Sequence, residues 1–421
     1  MSSKEYPNTK RILLISHNYA PEPTGIGKVN GEMMDWLAKK GHNCTVITTF
    51  PYYPYWKVQA PYKNRWYKKE VINYNKDANS ITIYRCPSYV PVNPGKKRRV
   101  IQDMSFWTSM FWKVLQLIAR REKFDLIITV APPFHLAYLG LMLKKSSGAK
   151  LLYHIQDLQI EAAQNLNMLS NKGLFKHIYR IEKNIMTKAD YVSGVSEGII
   201  NKIKTKIDKD VFLFPNWVNT DHFSSIPSDS RLKTIWGYKE DDIVFLYSGA
   251  IGEKQGLETI LLTAQDFLNN DKIKFLICGS GPYKESLIQL AESMNLTNVD
   301  FLPVQEKELF NAFLNMADYH LIMQKNNVSD LVMPSKLTTI FAIGGVCIAT
   351  SSPGTSVYNL INEYDLGFTI EPENHEALSN LIREIKPDKC LEIKKQNARN
   401  YAVKYLNIDN VMNDFLTKVF N

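Results

Sequence analysis

Cysteine is scarce in this 421-residue chain. There are five (Cys44, Cys86, Cys278, Cys347 and Cys390), odd in number and far apart. No Cys-x-x-Cys occurs, so neither a disulfide framework nor a zinc site is expected, and a reducing cytoplasm is the simple reading. Long apolar runs are missing too; none approaches the ~20 residues that cross a bilayer. The opening MSSKEYPNTKRILLISHNY holds an apolar run too short to span and no small-residue cleavage pattern. It reads as a tail and a first strand rather than a signal peptide. No strand is followed by GxGxxG and no Walker lysine pattern occurs, which excludes the commonest dinucleotide and P-loop readings. No compelling cluster of metal-ligating residues appears, so no metal is expected.

What is present suits a large soluble chain. Hydrophobic residues make up 45% and charged residues 22%, enough apolar side chains for sizeable cores. The length favours two domains. A net charge of +9 favours anionic partners: nucleotides, nucleic acid or an acidic membrane surface.

Strand and helix patterns alternate in both halves. In the first, strand signals fall at Arg11–Ser16, Cys44–Thr49, Ile81–Arg85, Leu126–Val130, Lys150–Ile155 and Tyr191–Val195. In the second they fall at Ile243–Tyr247, Lys274–Cys278, Val299–Leu302, Tyr319–Met323, Val346–Ala349 and Gly367–Ile370. Such alternation predicts α/β architecture, a parallel sheet covered by helices in each half. A Pro-, Ser-, Asn- and Asp-rich stretch near Asn216–Arg231 marks the seam. The domains expected are 1–220 and 221–402, with a helical tail, Leu391–Phe420, whose end (about 403–421) joins the first domain. Ligands of open α/β sheets bind beyond the carboxyl ends of the strands, so the cleft between two such domains is the expected active site.

Several strand ends look built for an anion. Pro334 and Ser335 predict a helix start with Ser335 as N-cap. Lys336 then opposes the helix dipole unless an anion docks there. Gly25 and Gly27 lie in the loop after the first strand, just before a helix expected at Val29–Lys39. Gly249 and Lys254 follow the first strand of the second half, and Gly279 and Gly281 follow its second. Glycines let backbone N–H groups approach a ligand closely. A nucleoside diphosphate fits this set better than a dinucleotide. In HIQDLQIEAA, His154, Asp157 and Glu161 lie at a strand's carboxyl end, where they would point at the cleft; capping and loop hydrogen bonding are the other reading.

Gly95–Arg121 differs in kind. Val100, Met104, Trp107, Phe111, Leu115 and Ile118 fall on one helical face, and basic clusters flank both ends. This suits a helix lying on an anionic membrane, or one covering the first sheet. The aromatic run PYYPYWKV (Pro51–Val58) offers surfaces for stacking a sugar, or covers a pocket.

SHNYAPEPTGIGK, TTFPYYPYWKV, HIQD, FPNW, YSGAIGEKQGLE and MPSKLTTIFAIGG, in this order, resemble the family 4 glycosyltransferases over nearly the whole chain. They resemble in particular the colanic-acid fucosyltransferases and the N-acetylfucosaminyl transferases of O-antigen and capsule assembly. The resemblance implies a GT-B fold, two Rossmann-like doubly wound domains with the active site between them. It implies a retaining, metal-independent hexosyltransferase with no cofactor, moving fucose or N-acetylfucosamine from a GDP- or UDP-sugar. The acceptor implied is an undecaprenyl-diphosphate-linked saccharide. The location implied is the cytoplasmic face of the plasma membrane, held peripherally through about 95–121, with no nucleic-acid partner.

By the same resemblance, Gly25, Gly27, Gly249, Lys254, Gly279, Gly281, Asp330, Ser335 and Lys336 hold the donor, and His154 or Asp157 stands beside the reacting sugar. Two positions depart from the family: Ala250 follows Gly249 where many relatives carry arginine, and Asp330 and Thr339 stand where many carry a glutamate pair. The alternatives are a non-catalytic nucleotide-sugar-binding scaffold and a UDP-sugar epimerase on the same fold.

Overall fold

The computed structural model describes residues 9–23, 25–74, 79–93, 95–161, 172–227, 231–326, 334–386 and 388–420. The chain divides into two compact units, Met1–Phe214 and Pro215–Asn421.

The first unit holds β1 (Arg11–Ile15), β2 (Asn43–Thr49), β3 (Lys68–Asn73), β4 (Ser80–Cys86), β5 (Leu126–Ala131), β6 (Lys150–Ile155), β7 (Tyr191–Gly194) and β8 (Val211–Leu213). Their order across the sheet is β3-β4-β2-β1-β5-β6-β7-β8, and only β3 runs antiparallel. Leu13 of β1 pairs with Thr45 on one side and Ile127 on the other. Ile12, Leu13, Leu14 and Ile15 are fully buried. That is why β1 reads as an unbroken apolar run: both of its faces are covered.

The second unit holds β9 (Ile243–Ser248), β10 (Ile273–Cys278), β11 (Val299–Leu302), β12 (Tyr319–Ile322), β13 (Val346–Thr350) and β14 (Gly367–Ile370), ordered β11-β10-β9-β12-β13-β14 and wholly parallel. In each sheet the chain starts centrally and winds outward in both directions. The switch points therefore lie between β1 and β5 and between β9 and β12, where crevices open at the strand ends.

All twelve expected strands form, with ends shifted by a residue or so. Two were not foreseen. β3, KKEVIN, is an edge strand with no side chain fully buried, so it carries no alternation to read. β8 is three residues long.

The helix Lys96–Ala119 forms as expected, but its faces differ from the sequence reading. Phe106, Met110, Val114 and Leu117 face the core, and Trp107, Phe111 and Ile118 pack only partly against it. Val100, Ile101, Met104 and Trp112 are exposed. The helix has enough apolar residues for two faces, and the sheet took the one offset from the predicted stripe. The tail comprises helices Lys389–Tyr401 and Ile408–Phe420 joined by a π-helical turn, Ala402–Leu406. Its junction is tied to the segment after the seam: Val218 N–H donates to the Leu406 carbonyl at 2.9 Å.

Candidate active site

In the second unit, the loops after β9 and β10 are zipped together. Gly249 N–H donates to the Cys278 carbonyl and Ile251 N–H to the Ser280 carbonyl, both at 2.9 Å. A β-carbon at Gly279 would lie 1.9 Å from the Gly249 carbonyl oxygen, and one at Gly281 1.9 Å from that of Ile251. No side chain fits there. These glycines therefore serve first to let two backbones meet, and the paired loops form a stiff rim at the end of the central strand.

Lys336 opens the short helix Lys336–Ala342 beside that rim. Its ammonium stands 3.8 Å over the Tyr247 ring, and a β-carbon at Gly249 would be 2.8 Å from it. Tyr247 is fully buried, and its hydroxyl donates to the Ala250 carbonyl at 2.6 Å. Among the described residues no carboxylate pairs with Lys336. Burial pulls its pKa from 10.5 down to about 7.

Ser335 differs from expectation. Its backbone is already helical and its side chain makes no cap bond. Leu337 N–H goes instead to the Pro334 carbonyl, leaving the exposed Ser335 hydroxyl available. Lys254 lies on the one-turn helix Glu253–Gln255 and is exposed; its carbonyl accepts from Lys325 N–H at 3.1 Å. Asp330 lies outside the described residues. Thr339 spends its hydroxyl on the Lys336 carbonyl. The second unit thus gathers Gly249, Gly279, Gly281 and Lys336 at one strand-end crevice, with Lys254 exposed on the loop that follows Gly249.

In the first unit, the loop after β1 is organised by Glu22. Glu22 is buried and accepts from the N–H groups of Tyr52 and Tyr53, both at 3.0 Å, and from the Asn18 amide at 2.9 Å. Burial raises its pKa against those three bonds. A β-carbon at Gly27 would lie 2.4 Å from a Glu22 oxygen, so that glycine makes room for the carboxylate. Gly25 has φ +61°, which favours glycine, and faces Tyr53. The only signal in the sequence was an acid between two prolines.

His154 is a strut in this arrangement. Its Nδ1 is 2.9 Å from the Ser193 hydroxyl and its Nε2 2.9 Å from the Gln156 amide nitrogen. The amide nitrogen can only donate, so Nε2 accepts and Nδ1 carries the proton. Burial lowers the pKa to about 3, which keeps the ring neutral. Asp157 is half-buried on the following loop. His17, at the end of β1, is also buried and stacks on Phe106 with ring centres 4.6 Å apart. Asp103, on the helix Lys96–Ala119, is pushed up to about 7 by burial. Neither stood out in the sequence, because both depend on what packs around them.

All five cysteines are free. Among the described residues no group of three or more His, Cys, Asp or Glu could hold a metal. No described helix is long and apolar enough to cross a membrane.

Residues 23–222 match the profile described as Glycosyltransferase Family 4, and residues 229–405 that of Glycosyl transferases group 1. The chain is 36% identical to the putative colanic acid biosynthesis glycosyl transferase WcaI of Escherichia coli K12, covering 97% of this chain and 99% of that one. Among solved structures, sucrose-phosphate synthase of Thermosynechococcus elongatus aligns with TM-score 0.74 at 16% identity, covering 98% of this chain and 99% of that chain. HepE of Anabaena, solved in complex with UDP, aligns with TM-score 0.69 at 13% identity, covering 98% and 100%.

Proposed function

The chain belongs to the family 4 glycosyltransferases, a GT-B enzyme group, and on that premise we propose that it moves a sugar from a nucleoside diphosphate donor onto a saccharide of a surface polysaccharide under assembly. The observation that carries donor binding is the unpaired, enclosed Lys336 ammonium beside the glycine-walled rim after β9 and β10. A half-buried cation with no carboxylate beside it is costly, and a diphosphate supplies the missing charge. The exposed Ser335 hydroxyl adds a donor next to it, and Lys254 a second cation. A UDP complex of a structural relative, and a close relative named for colanic acid biosynthesis, support the same reading.

The mechanism follows from charge. The bond between the sugar's anomeric carbon and the diphosphate oxygen breaks, leaving negative charge that Lys336 and Lys254 stabilise in place of a metal. The sugar becomes oxocarbenium-like. The acceptor hydroxyl attacks from the face the diphosphate leaves, its proton passes to a phosphate oxygen, and configuration is retained. No protein nucleophile is needed.

The finer reading takes fucose or N-acetylfucosamine as the sugar and an undecaprenyl-diphosphate-linked saccharide as acceptor. The helix Lys96–Ala119 would meet the cytoplasmic face of the membrane. Val100, Ile101 and Met104, more than half exposed, stand beside the basic run that includes Lys97, Arg98 and Arg99, a pairing suited to a peripheral hold on anionic lipid. The test is product analysis with GDP-fucose, UDP-N-acetylfucosamine and UDP-glucose against a lipid-linked acceptor. One donor should yield a glycosylated acceptor with retained configuration, and Lys336→Ala should abolish most of it. Donor consumed without acceptor, or a product with inverted configuration, would overturn the proposal.

A further inference from the structure

We propose that the start of the helix Lys96–Ala119 and the aromatic segment after β2 form a saccharide site, in which the Asp103 carboxylate takes a sugar hydroxyl, Gln102 supplies the opposing donor and Trp56 covers the ring. As the acceptor subsite of a transferase it rests on the reading above; as a sugar-binding site it stands on its own geometry.

Asp103 is half-buried yet makes no hydrogen bond or ion pair with any described residue. Arg99, the nearest opposite charge, is directed elsewhere: its guanidinium lies 5.0 Å from the centre of the Trp56 ring. Next to Asp103 in sequence, Gln102 is 2% exposed and its amide nitrogen lacks a partner, although it lies near the Tyr52 hydroxyl. His17 Nε2, under the same Tyr52, is buried and unpartnered as well. Buried polar atoms are almost always satisfied, so two orphaned nitrogens around one tyrosine, with a half-buried unpaired carboxylate beside them, point to a polar ligand.

The wall above them is aromatic. Trp56 holds φ +52°, a region that bulky residues rarely enter, with its ring 5.6 Å from that of Tyr52. Saccharide chemistry matches this combination. Vicinal hydroxyls donate to a carboxylate and accept from an amide, and the apolar C–H face of the ring lies against an aromatic plane. The carboxylate repels a phosphate or an anionic headgroup, which sets this site apart from the donor crevice and from the lipid-facing patch.

Titration gives a second handle. Burial pushes Asp103 up to about 7. The groups that face it do not change charge there: Arg99 on its own helix stays cationic, and burial keeps the Tyr52 hydroxyl protonated and holds His17 neutral down to about 3. Glu22, behind Tyr52, is raised by burial but spends its oxygens on three hydrogen bonds. Saccharide binding should therefore weaken as pH falls through 7, when Asp103 gains a proton and loses acceptor capacity.

The experiment is saturation-transfer NMR and calorimetry of the full chain with methyl fucoside, galactoside, glucoside and N-acetylglucosaminide, with GDP or UDP present. At least one glycoside should bind, about tenfold more tightly at about pH 8 than at about pH 6. Asp103→Asn should lose about tenfold in affinity and all of the pH dependence, with nucleotide affinity unchanged and the melting temperature at about pH 8 raised, because burial holds the ionised carboxylate at a cost. Trp56→Ala should lower affinity without removing the pH dependence. No glycoside bound by the wild type, or Asp103→Asn binding like it, would overturn the site. A wild type that binds glycosides but transfers no sugar removes the transferase reading and leaves the site. One that still transfers at the wild-type rate after Asp103→Asn does the reverse.

Discussion

The Lys336 ammonium lies 3.8 Å over the face of Tyr247. The slot is completed by the absent side chain of Gly249, and among the described residues no carboxylate answers the charge. The lysine is held where its charged form is least comfortable and a diphosphate is most rewarded.

Protonation should therefore be linked to donor binding. The pKa of Lys336 falls from 10.5 to about 7 in the nucleotide-free fold. Between those values the folded chain binds fewer protons than the unfolded one, so this group makes stability rise with pH from about 7 upward. A bound diphosphate raises the pKa again, and at about pH 8 calorimetry in Tris and in HEPES should show proton uptake. Lys336→Met should melt higher than the wild type without nucleotide, lose the proton uptake, and bind the nucleoside diphosphate about 10- to 100-fold more weakly. Unchanged affinity would exclude the diphosphate role.

Glycine substitutions should separate backbone approach from empty space. Gly279→Ala and Gly281→Ala place a β-carbon 1.9 Å from a carbonyl oxygen. Each should cost about 1–3 kcal/mol by overpacking and weaken nucleotide binding as the loops part. Gly27→Ala, pressed against Glu22, should cost a similar amount. Gly95, with nothing within 4 Å, is the control for steric overpacking, and its alanine variant should cost no more than the cap preference, about 1 kcal/mol. Urea melts of the four variants give the comparison.

His154 and Asp157 should part company. His154→Asn breaks two buried hydrogen bonds and should cost about 1–3 kcal/mol, with activity falling in step with the folded fraction. Asp157→Asn should lower kcat by more than any loss of folded fraction explains. If His154→Asn is fully folded yet inactive, the imidazole touches the substrate after all.

Transfer should survive EDTA, because Lys336 and Lys254 bring the positive charge to the leaving diphosphate. Activity removed by the chelator and restored by Mg²⁺ or Mn²⁺ would falsify this.

Membrane docking should follow the exposed patch and its basic neighbours. Lys97→Glu with Arg98→Glu should release the protein from anionic liposomes, since each basic residue near such a surface is worth about 1 kcal/mol. Val100→Ser with Met104→Ser should also weaken binding, and less steeply with salt. Undiminished sedimentation with liposomes for both pairs would rule out this face.

Much of the architecture was legible locally. Apolar runs located β1, β5, β6, β9, β10 and β13 because strands covered on both faces leave nearly unbroken hydrophobic words. The glycines after β9 and β10 and the lysine after Pro334 could be read as anion-compatible from residue type alone. Contacts between distant segments could not. Gly279 is a glycine because β10 pairs beside β9 and brings the Gly249 carbonyl against it. His154 became a strut because Ser193, 39 residues later, reached its ring through the neighbouring strand β7. The helix Lys96–Ala119 showed its apolar content but not which side the sheet would cover. Glu22 and Asp103 look alike in sequence, both acids near aromatics. Packing gave one three hydrogen bonds and left the other with none. Local order follows from propensity and periodicity over a few residues. Whether a buried charge is satisfied depends on groups brought together from far along the chain, and that is settled only when the tertiary structure forms.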